Sequence, residues 1–283
     1  MDNTGKNAND EWLNLLGNII TYGEKRAPRD LPVTEILCNT TIMNMKKPVI
    51  SIPGRKMGYK FMTAEAKWIL SGDNRIRNIN KYSPFIWEFS DDGEFYNGAY
   101  GPKIIDQLTY ICDMLEQDLD TRQAVLTIWR ENPRPSRDIS CTTQLQFMIR
   151  DGKLHCMDTM RSSDAWLGWV YDVFNMSMLS GYIMLLLRDR ASRRYKTEKE
   201  FNENFKPLEL GNLYLTAASH HIYDKDIDKV HDLISSDARE DAFEYQEFTP
   251  YSFEDANELL LHLGDLSERN QIVKNDFLKE LYK

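Results

Sequence analysis

Apolar residues recur every three or four positions in several stretches of the chain, and this spacing gives a helix one apolar face. The pattern predicts amphipathic helices over residues 10–21, 63–70 and 102–117. Residues 172–187 are apolar almost throughout, which predicts a longer and buried helix.

Boundary signals accompany some of these helices. Thr63 is a candidate N-cap, and Gly72 lies just past the end of the same helix, where a glycine often closes the last turn. Residues 253–282 have helical spacing in two pieces, and we expect the break near Gly264.

Other stretches are rich in alternating apolar and β-branched residues, which predicts strands. The predicted strands cover residues 36–50, 123–129, 144–150, 153–160 and 213–216. Asp151 and Gly152 separate two of them, and this dipeptide favours a hairpin with a type I′ turn. Helices and strands follow one another without a βαβ rhythm, so we predict an α+β fold around a mostly antiparallel or mixed sheet.

Composition narrows the class of protein. The 283 residues are 42% apolar, which is enough for a sizeable core. The formal net charge is −9, and an acidic chain is poorly suited to bind polyanions, so we expect no nucleic-acid partner. The sequence contains no run of 18 apolar residues, so we expect no membrane span. The first ten residues are polar and do not resemble the apolar region of a signal peptide. The four cysteines lack metal-ligand spacing, so we expect reduced thiols, no metal site and a cytoplasmic protein, in the host cytoplasm if a phage encodes it.

Three short motifs place complementary chemistry close together in the sequence. Cys141 lies in Ser-Cys-Thr-Thr-Gln, Arg161 opens Arg-Ser-Ser-Asp-Ala-Trp-Leu-Gly, and Asp172 lies in Tyr-Asp-Val-Phe-Asn. A thiolate can add to an electron-poor ring carbon and leave again. An arginine can hold a phosphate, and a carboxylate can distinguish one pyrimidine from another. Considered one at a time, Cys141 would fit a buried structural cysteine, Arg161 a surface arginine and Asp172 a helix N-cap.

Taken together, these motifs and their spacing resemble the thymidylate synthase superfamily over residues 68–223. The resemblance implies one catalytic domain over residues 1–283: a thymidylate synthase-like mixed sheet covered by helices, forming a homodimer across the sheet. Residues 250–283 would be a divergent helical extension. It also implies a pyrimidine nucleoside monophosphate as substrate and 5,10-methylenetetrahydrofolate as co-substrate.

The resemblance assigns roles residue by residue. Cys141 would be the nucleophile, and Glu65, near the matching Trp-Ile-Leu-Ser-Gly-Asp run, would order water and move protons. Residues that would contact the nucleotide are Arg161, Ser162, Tyr100, His221 and Tyr223. Residues that would contact the folate are Ile86, Trp87, Asp164 and Gly168. Arg122 would reach the phosphate of the partner subunit, and Arg29 would be the arginine of the early phosphate loop.

Two departures from the family pattern bear on the reaction. Thymidylate synthases have asparagine where this chain has Asp172, and a carboxylate can accept from the cytosine 4-amino group and stabilise a proton on N3. Two features resemble the phage deoxycytidylate hydroxymethylases: the aspartate at position 172, and the sequence Cys-Thr-Thr that begins at the nucleophile. The apolar tail that closes thymidylate synthases over the folate is also absent from the end of this sequence, which favours water entry and a hydroxymethyl product.

We therefore expect hydroxymethyl transfer to C5 of dCMP or CMP. The nearest alternatives are a cytidylate C5-methyltransferase, a thymidylate synthase and a dUMP hydroxymethylase. An alternative of another class is a catalytically silent homodimer that binds a nucleotide or RNA. A sulfur-based redox protein would rest on Cys141 alone.

Overall fold

A mixed β-sheet forms the centre of the molecule. The computed structural model describes residues 5–236, 238–240, 242–269 and 274–281. Within these residues seven strands form one sheet in the order β1-β2-β7-β5-β4-β3, with the short β6 paired to β7. The strands are β1 (Glu24–Arg26), β2 (Val33–Asn44), β3 (Val125–Thr127), β4 (Thr142–Arg150), β5 (Lys153–Met160), β6 (Ser163–Asp164) and β7 (Glu209–Tyr223).

Strand direction confirms the predicted mixed sheet. β7 pairs parallel with β5 and β6, whereas the other pairings are antiparallel. The β4–β5 hairpin turns at Asp151 and Gly152, whose φ angles of 51° and 71° are those of the expected type I′ turn. β2 ends at Asn44, earlier than the predicted residue 50, because a turn at residues 45–47 interrupts the extended chain.

Helices cover the sheet and flank its ends. They are α1 (Ala8–Tyr22), α2 (Tyr59–Leu70), α3 (Ile76–Ile79), α4 (Gly101–Gln117), α5 (Trp169–Arg194), α6 (Glu198–Asn204), α7 (Ile227–Ser235), α8 (Ala256–Glu268) and α9 (Lys274–Glu280). α5 is the predicted buried helix, and it packs against β5 and β7. It is long and apolar enough to cross a membrane, but 78% of that window is buried inside the protein, as in a core helix.

Two predicted helix boundaries were wrong. Thr63 is not an N-cap: α2 begins at Tyr59, and the Thr63 hydroxyl donates to the Tyr59 carbonyl one turn earlier. Gly264 does not break the C-terminal helix but lies inside α8. A Cβ there would meet the Lys67 side chain, so the glycine lets α8 pack closely on α2. Gly72, with φ of +70°, does close α2 as predicted.

The C-terminal helices brace the helix that bears Glu65. The ring of Phe277 in α9 stacks on Tyr59 of α2 with centroids 4.6 Å apart, and Phe277 is fully buried. Glu268 at the end of α8 pairs with Lys81 and accepts from the Tyr82 hydroxyl. The Phe277 contact attaches α9 to α2, and the Glu268 contacts attach the end of α8 to the segment after α3. α8 itself packs against α2.

The two faces of the sheet differ in burial. On β4, Leu145, Phe147 and Ile149 are buried in the core beneath the helices. Gln144 on the opposite face is exposed, and Gln146 is half-buried. The predicted homodimer would use this second face.

Candidate active site

The thiol of Cys141 and the guanidinium of Arg161 lie next to each other. Cys141 immediately precedes β4, and Arg161 follows β5, so the hairpin brings the two together. The Arg161 Nη2 atom lies 3.7 Å from Cys141 Sγ, and the Ser162 hydroxyl lies 3.8 Å from the same sulfur. Arg161 also donates to the carbonyls of Ile139 and Ser140, which fixes its direction. Its guanidinium is nevertheless exposed and can receive a phosphate.

Burial governs the acidity of this thiol. The pKa of Cys141 is raised above its usual value, first by burial and then by the Asp172 charge, while Arg161 and the Ser162 hydrogen bond lower it. Arg161 therefore acts in the expected direction, but desolvation outweighs it.

Tyr100 connects the nucleophile to a neighbouring cleft. The backbone N–H of Thr142 donates to the Tyr100 hydroxyl at 3.0 Å, immediately after the nucleophile in the sequence. Burial raises the pKa of Tyr100, and the charges of Asp172 and Cys141 raise it further. The phenol is thus neutral and has its own O–H to donate.

The cleft has a cavity volume of about 210 Å³ and is lined by both polar and apolar residues. Its polar residues include Glu65, Tyr100, Asp172 and Asn175, and its apolar wall includes Trp68, Ile69, Ile79, Ile86 and Phe89. An apolar wall with a few polar groups beside it is typical of a site that binds an aromatic ring. Among the described residues, no cluster of three His, Cys, Asp or Glu side chains is arranged to hold a metal ion.

Glu65 is held by a residue that the sequence analysis did not assign. The Asn175 side-chain amide donates to Glu65 at 2.8 Å. Burial raises the pKa of Glu65 to about 7, while the Asn175 hydrogen bond opposes this rise. Asn175 could have been found from its position three residues after Asp172, because that spacing places both on one helix face.

Asp172 occupies the first turn of α5 but is not its N-cap. Gly168 is the N-cap residue, and the Asp172 N–H donates to the Gly168 carbonyl inside the helix. The Asp172 carboxyl therefore remains available to the cleft that it lines. Its pKa is raised well above the usual value by burial and by the charges of Asp158, Glu65 and Asp164.

Asp164 holds the turn that leads into α5. Its Oδ1 atom accepts the N–H groups of Trp166 and Leu167, both at 2.9 Å. Burial raises its pKa, and the His221 charge opposes that rise. Trp12 of α1 donates to the Ala165 carbonyl at 2.7 Å and braces the same segment.

Three other residues expected to contact the nucleotide are located on β7 or before the strand that pairs with it. His221 and Tyr223 follow each other on β7 with ring centroids 5.3 Å apart, and β6 aligns Asp164 with His221. Arg29 is exposed in the loop before β2, whose first residue, Val33, pairs with Tyr223. The predicted phosphate loop therefore lies at the end of β7 that bears the His-x-Tyr pair.

Two predicted contact residues stand apart within this subunit. Arg122 is exposed before the edge strand β3, and its carbonyl accepts from Gln146 on the open sheet face. Trp87 is 55% exposed and does not line the described cleft, whereas its neighbour Ile86 does.

The sequence matches known proteins along most of its length. The family model described as thymidylate synthase matches residues 10–188. The chain belongs to the thymidylate synthase family. Members of this family transfer a one-carbon unit from methylenetetrahydrofolate to C5 of a pyrimidine nucleotide.

Two relatives are informative. The chain is 27% identical over 244 residues to the deoxyuridylate hydroxymethyltransferase of Bacillus phage SP01, an alignment that covers 78% of this chain. It spans only 58% of that relative's length. It is 24% identical over 249 residues to the thymidylate synthase of Francisella philomiragia, covering 80% of this chain and 84% of the relative.

Proposed function

We propose that this protein transfers a hydroxymethyl group from 5,10-methylenetetrahydrofolate to C5 of a cytosine nucleotide, dCMP or CMP. The observation that supports this most directly is the placement of the Asp172 carboxyl. It lines the cleft with Glu65, and Tyr100 links this cleft to Cys141. A carboxyl group there accepts from the cytosine 4-amino group, as the amide of the family asparagine does from uracil N3–H.

The nucleotide would bind with its phosphate at Arg161 and its base toward Asp172. Ser162, Arg29 and the partner's Arg122 would add phosphate contacts, and the residues that would hold the sugar hydroxyl are His221 and Tyr223. This role of Arg122 requires a homodimer, and Arg122 is exposed beside the edge strand β3, where a partner subunit could receive it.

Chemistry begins when the Cys141 thiolate bonds to C6 and makes C5 nucleophilic. When bound, methylenetetrahydrofolate supplies a one-carbon unit at the oxidation level of formaldehyde. The apolar wall formed by Ile79, Ile86 and Phe89 would hold its pterin ring. The folate would deliver that carbon to C5, and the proton lost from C5, with one proton of the later water, would go to the folate nitrogens that release the carbon.

Water completes the product. Glu65 orders a water that adds to the exocyclic carbon, and the C6–sulfur bond then breaks to restore the ring and the Cys141 thiolate. Glu65 suits proton transfer because its pKa of about 7 lies near neutral pH. The C-terminal helices brace α2 through Tyr59.

A uridylate hydroxymethylase is the second candidate. The SP01 relative is named for deoxyuridylate, and the raised pKa of Asp172 gives this carboxyl an O–H that can donate to uracil O4. Base preference therefore decides between the two candidates.

The deciding experiment is a mass spectrum of products from dCMP, CMP and dUMP, each incubated with methylenetetrahydrofolate. We expect a gain of CH2O on dCMP or CMP, and the nucleotide that gains it shows whether the preferred sugar is deoxyribose or ribose. CH2O on dUMP alone would favour the second candidate, and a gain of CH2 would indicate methylation. Nucleotide binding with no release of the C5 proton would instead identify a silent binding protein.

A further inference from the structure

A fully buried carboxyl in β5 has no assigned role. Asp158 has no exposed surface, and its Oδ1 atom has no hydrogen-bond partner among the described residues. Its Oδ2 atom lies 3.5 Å from the hydroxyl of Thr142, the residue after the nucleophile. The adjacent inward-facing residues of the strand are Cys156 and Met160, both apolar and buried. Burying a carboxyl among them without full hydrogen bonding opposes its ionisation.

Acidic groups surround Asp172 on several elements. Glu65 faces it from α2, Asp158 from β5 and Asp164 from β6. Tyr100 at the start of α4 and Cys141 before β4 are also acids, and each interacts electrostatically with Asp172.

The nearby cation does not neutralise this cluster. Arg161 points toward the sulfur and the carbonyls of residues 139 and 140. Carboxyl groups so arranged cannot all ionise together, so the cluster retains protons. Burial and the surrounding acids raise the pKa of Asp172, and burial raises that of Asp158 to about 7.

We propose that Asp158 is a positioning residue that keeps a proton on Asp172, so that this site accepts both cytosine and uracil and becomes selective for cytosine as pH rises. The inference deepens the proposed function and rests on its assignment of Asp172 to the base. Asp158 is connected to the cleft through Thr142, whose hydroxyl lies 3.5 Å from the Asp158 Oδ2 atom and whose N–H donates to Tyr100. Tyr100 lines the same cleft as Asp172.

The neutral carboxylic acid is complementary to both bases. With cytosine, its carbonyl accepts from N4–H and its O–H donates to N3. The proton passes to N3 when sulfur bonds to C6, and it returns to Asp172 when that bond breaks. With uracil, the carbonyl accepts from N3–H and the O–H donates to O4, where negative charge develops.

The ionised carboxylate treats the two bases differently. It repels uracil O4 and loses both the donor and the charge stabilisation that uracil requires. It still accepts from cytosine N4–H. Uracil binding therefore falls as Asp172 loses its proton, while cytosine binding persists more fully. Removing the Asp158 charge lets Asp172 ionise at lower pH.

The test measures binding of dUMP and dCMP, and product formation from each, between pH 5.5 and pH 9 in the full-length protein and its Asp158→Asn variant. In the unmodified protein, the dCMP-to-dUMP affinity ratio should rise with pH. In Asp158→Asn this rise should occur at lower pH, displaced by one pH unit for each unit by which the pKa of Asp172 falls. Asp158→Leu provides a second variant of similar volume if the asparagine variant folds poorly.

Matched controls separate this role from a structural one. Cys156→Ser alters the adjacent buried inward-facing position of the same strand without changing charge. Its dCMP-to-dUMP affinity ratio should vary with pH as it does in the unmodified protein. Asp172→Asn should remove the rise of the dCMP-to-dUMP affinity ratio with pH, because the phosphate that both nucleotides share affects the two equally. If Asp158→Asn weakens both nucleotides equally and leaves the pH dependence of their ratio unchanged, the inference is wrong.

Binding and product formation also distinguish the two proposals. If the affinity ratio shifts as expected but no hydroxymethyl product forms, the role of Asp158 stands and the proposed reaction fails. If product forms and the ratio does not shift, the reaction stands and the role of Asp158 fails. Absence of any nucleotide binding would overturn both.

Discussion

Asn175 of α5 donates a 2.8 Å hydrogen bond to Glu65 of α2, and this contact joins two helices across the candidate active-site cleft. The amide hydrogen bond favours the ionised carboxylate, whereas burial favours the neutral acid. The balance gives Glu65 a pKa of about 7, which suits a group that both accepts and returns protons.

We predict that Asn175→Ala raises the pKa of Glu65 because its hydrogen-bond donor is lost. The rate of product formation should fall by about 10- to 100-fold at neutral pH, and the acidic limb of the pH–rate profile should move to higher pH. A pH–rate profile with saturating substrates measures both effects. Met176→Leu changes the next residue of α5 with little change in volume and should leave the profile in place. A rate loss without movement of the acidic limb would contradict the proposed coupling.

The sequence predicted the parts of this fold that local patterns determine. The hairpin turn followed from Asp151-Gly152, and the helical spacing located α1, α4 and α5. Helix boundaries failed where tertiary packing decides them. Gly264 lies inside α8, which packs against α2, and no local pattern contains that information.

The same distinction applies to the candidate site. Cys141, Arg161 and Asp172 could be proposed from motifs, and the structure connects them through Tyr100 and the cleft. Asp158 could not be assigned from sequence, although a charged residue between apolar positions of a strand was a visible signal. Its proximity to Asp172 arises from the packing of β5 against α5.

We predict that Cys141→Ser abolishes turnover but preserves nucleotide binding. A serine hydroxyl is a far weaker nucleophile toward C6, so the rate should fall by at least about 10⁴-fold. Arg161 retains its contacts to the carbonyls of Ile139 and Ser140, so the phosphate site should persist. Calorimetric titration with dCMP measures binding, and C5 proton release measures the chemical step. A fully active Cys141→Ser protein would remove the covalent mechanism.

We predict that Asp172→Asn moves base preference from cytosine toward uracil. An amide can accept from uracil N3–H and donate to O4, but it cannot deliver a proton to cytosine N3. The kcat/KM for dCMP should therefore fall by about 100-fold or more relative to that for dUMP, measured by competition between the two nucleotides. Unchanged preference would contradict the assignment of Asp172 to the base.

We predict that Phe277→Ala destabilises the protein through α2. Phe277 is fully buried and stacks on Tyr59, so its truncation should lower the free energy of unfolding by about 3–5 kcal/mol. Leu261→Ala in α8 is the control, because Leu261 is 56% exposed and should change stability by less than about 0.5 kcal/mol. Urea unfolding measures both. Equal effects of the two substitutions would show that α9 does not brace α2.

The stability that Asp158 and Glu65 contribute should fall as pH rises from about 4 through about 7. Asp158 and Glu65 each have a folded-state pKa near 7, raised chiefly by burial. Between the unfolded and folded pKa values, the folded chain keeps protons that the unfolded chain has released, so the free energy of unfolding decreases with pH. Their stabilising effect is complete below the unfolded pKa values and is lost as pH passes the folded ones.

Asp158→Asn should remove part of this dependence. Because the variant has no charge to bury, it should be more stable than the unmodified protein at pH 8 by about 1–3 kcal/mol, with little difference at pH 4. Urea unfolding at pH 4, 6 and 8 measures how the free energy of unfolding changes with pH in the unmodified protein and in the variant. Cys156→Ser should retain the slope of the unmodified protein, since Asp158 is still present. A stability gain that is equal at all three pH values would show that Asp158 does not titrate within this range.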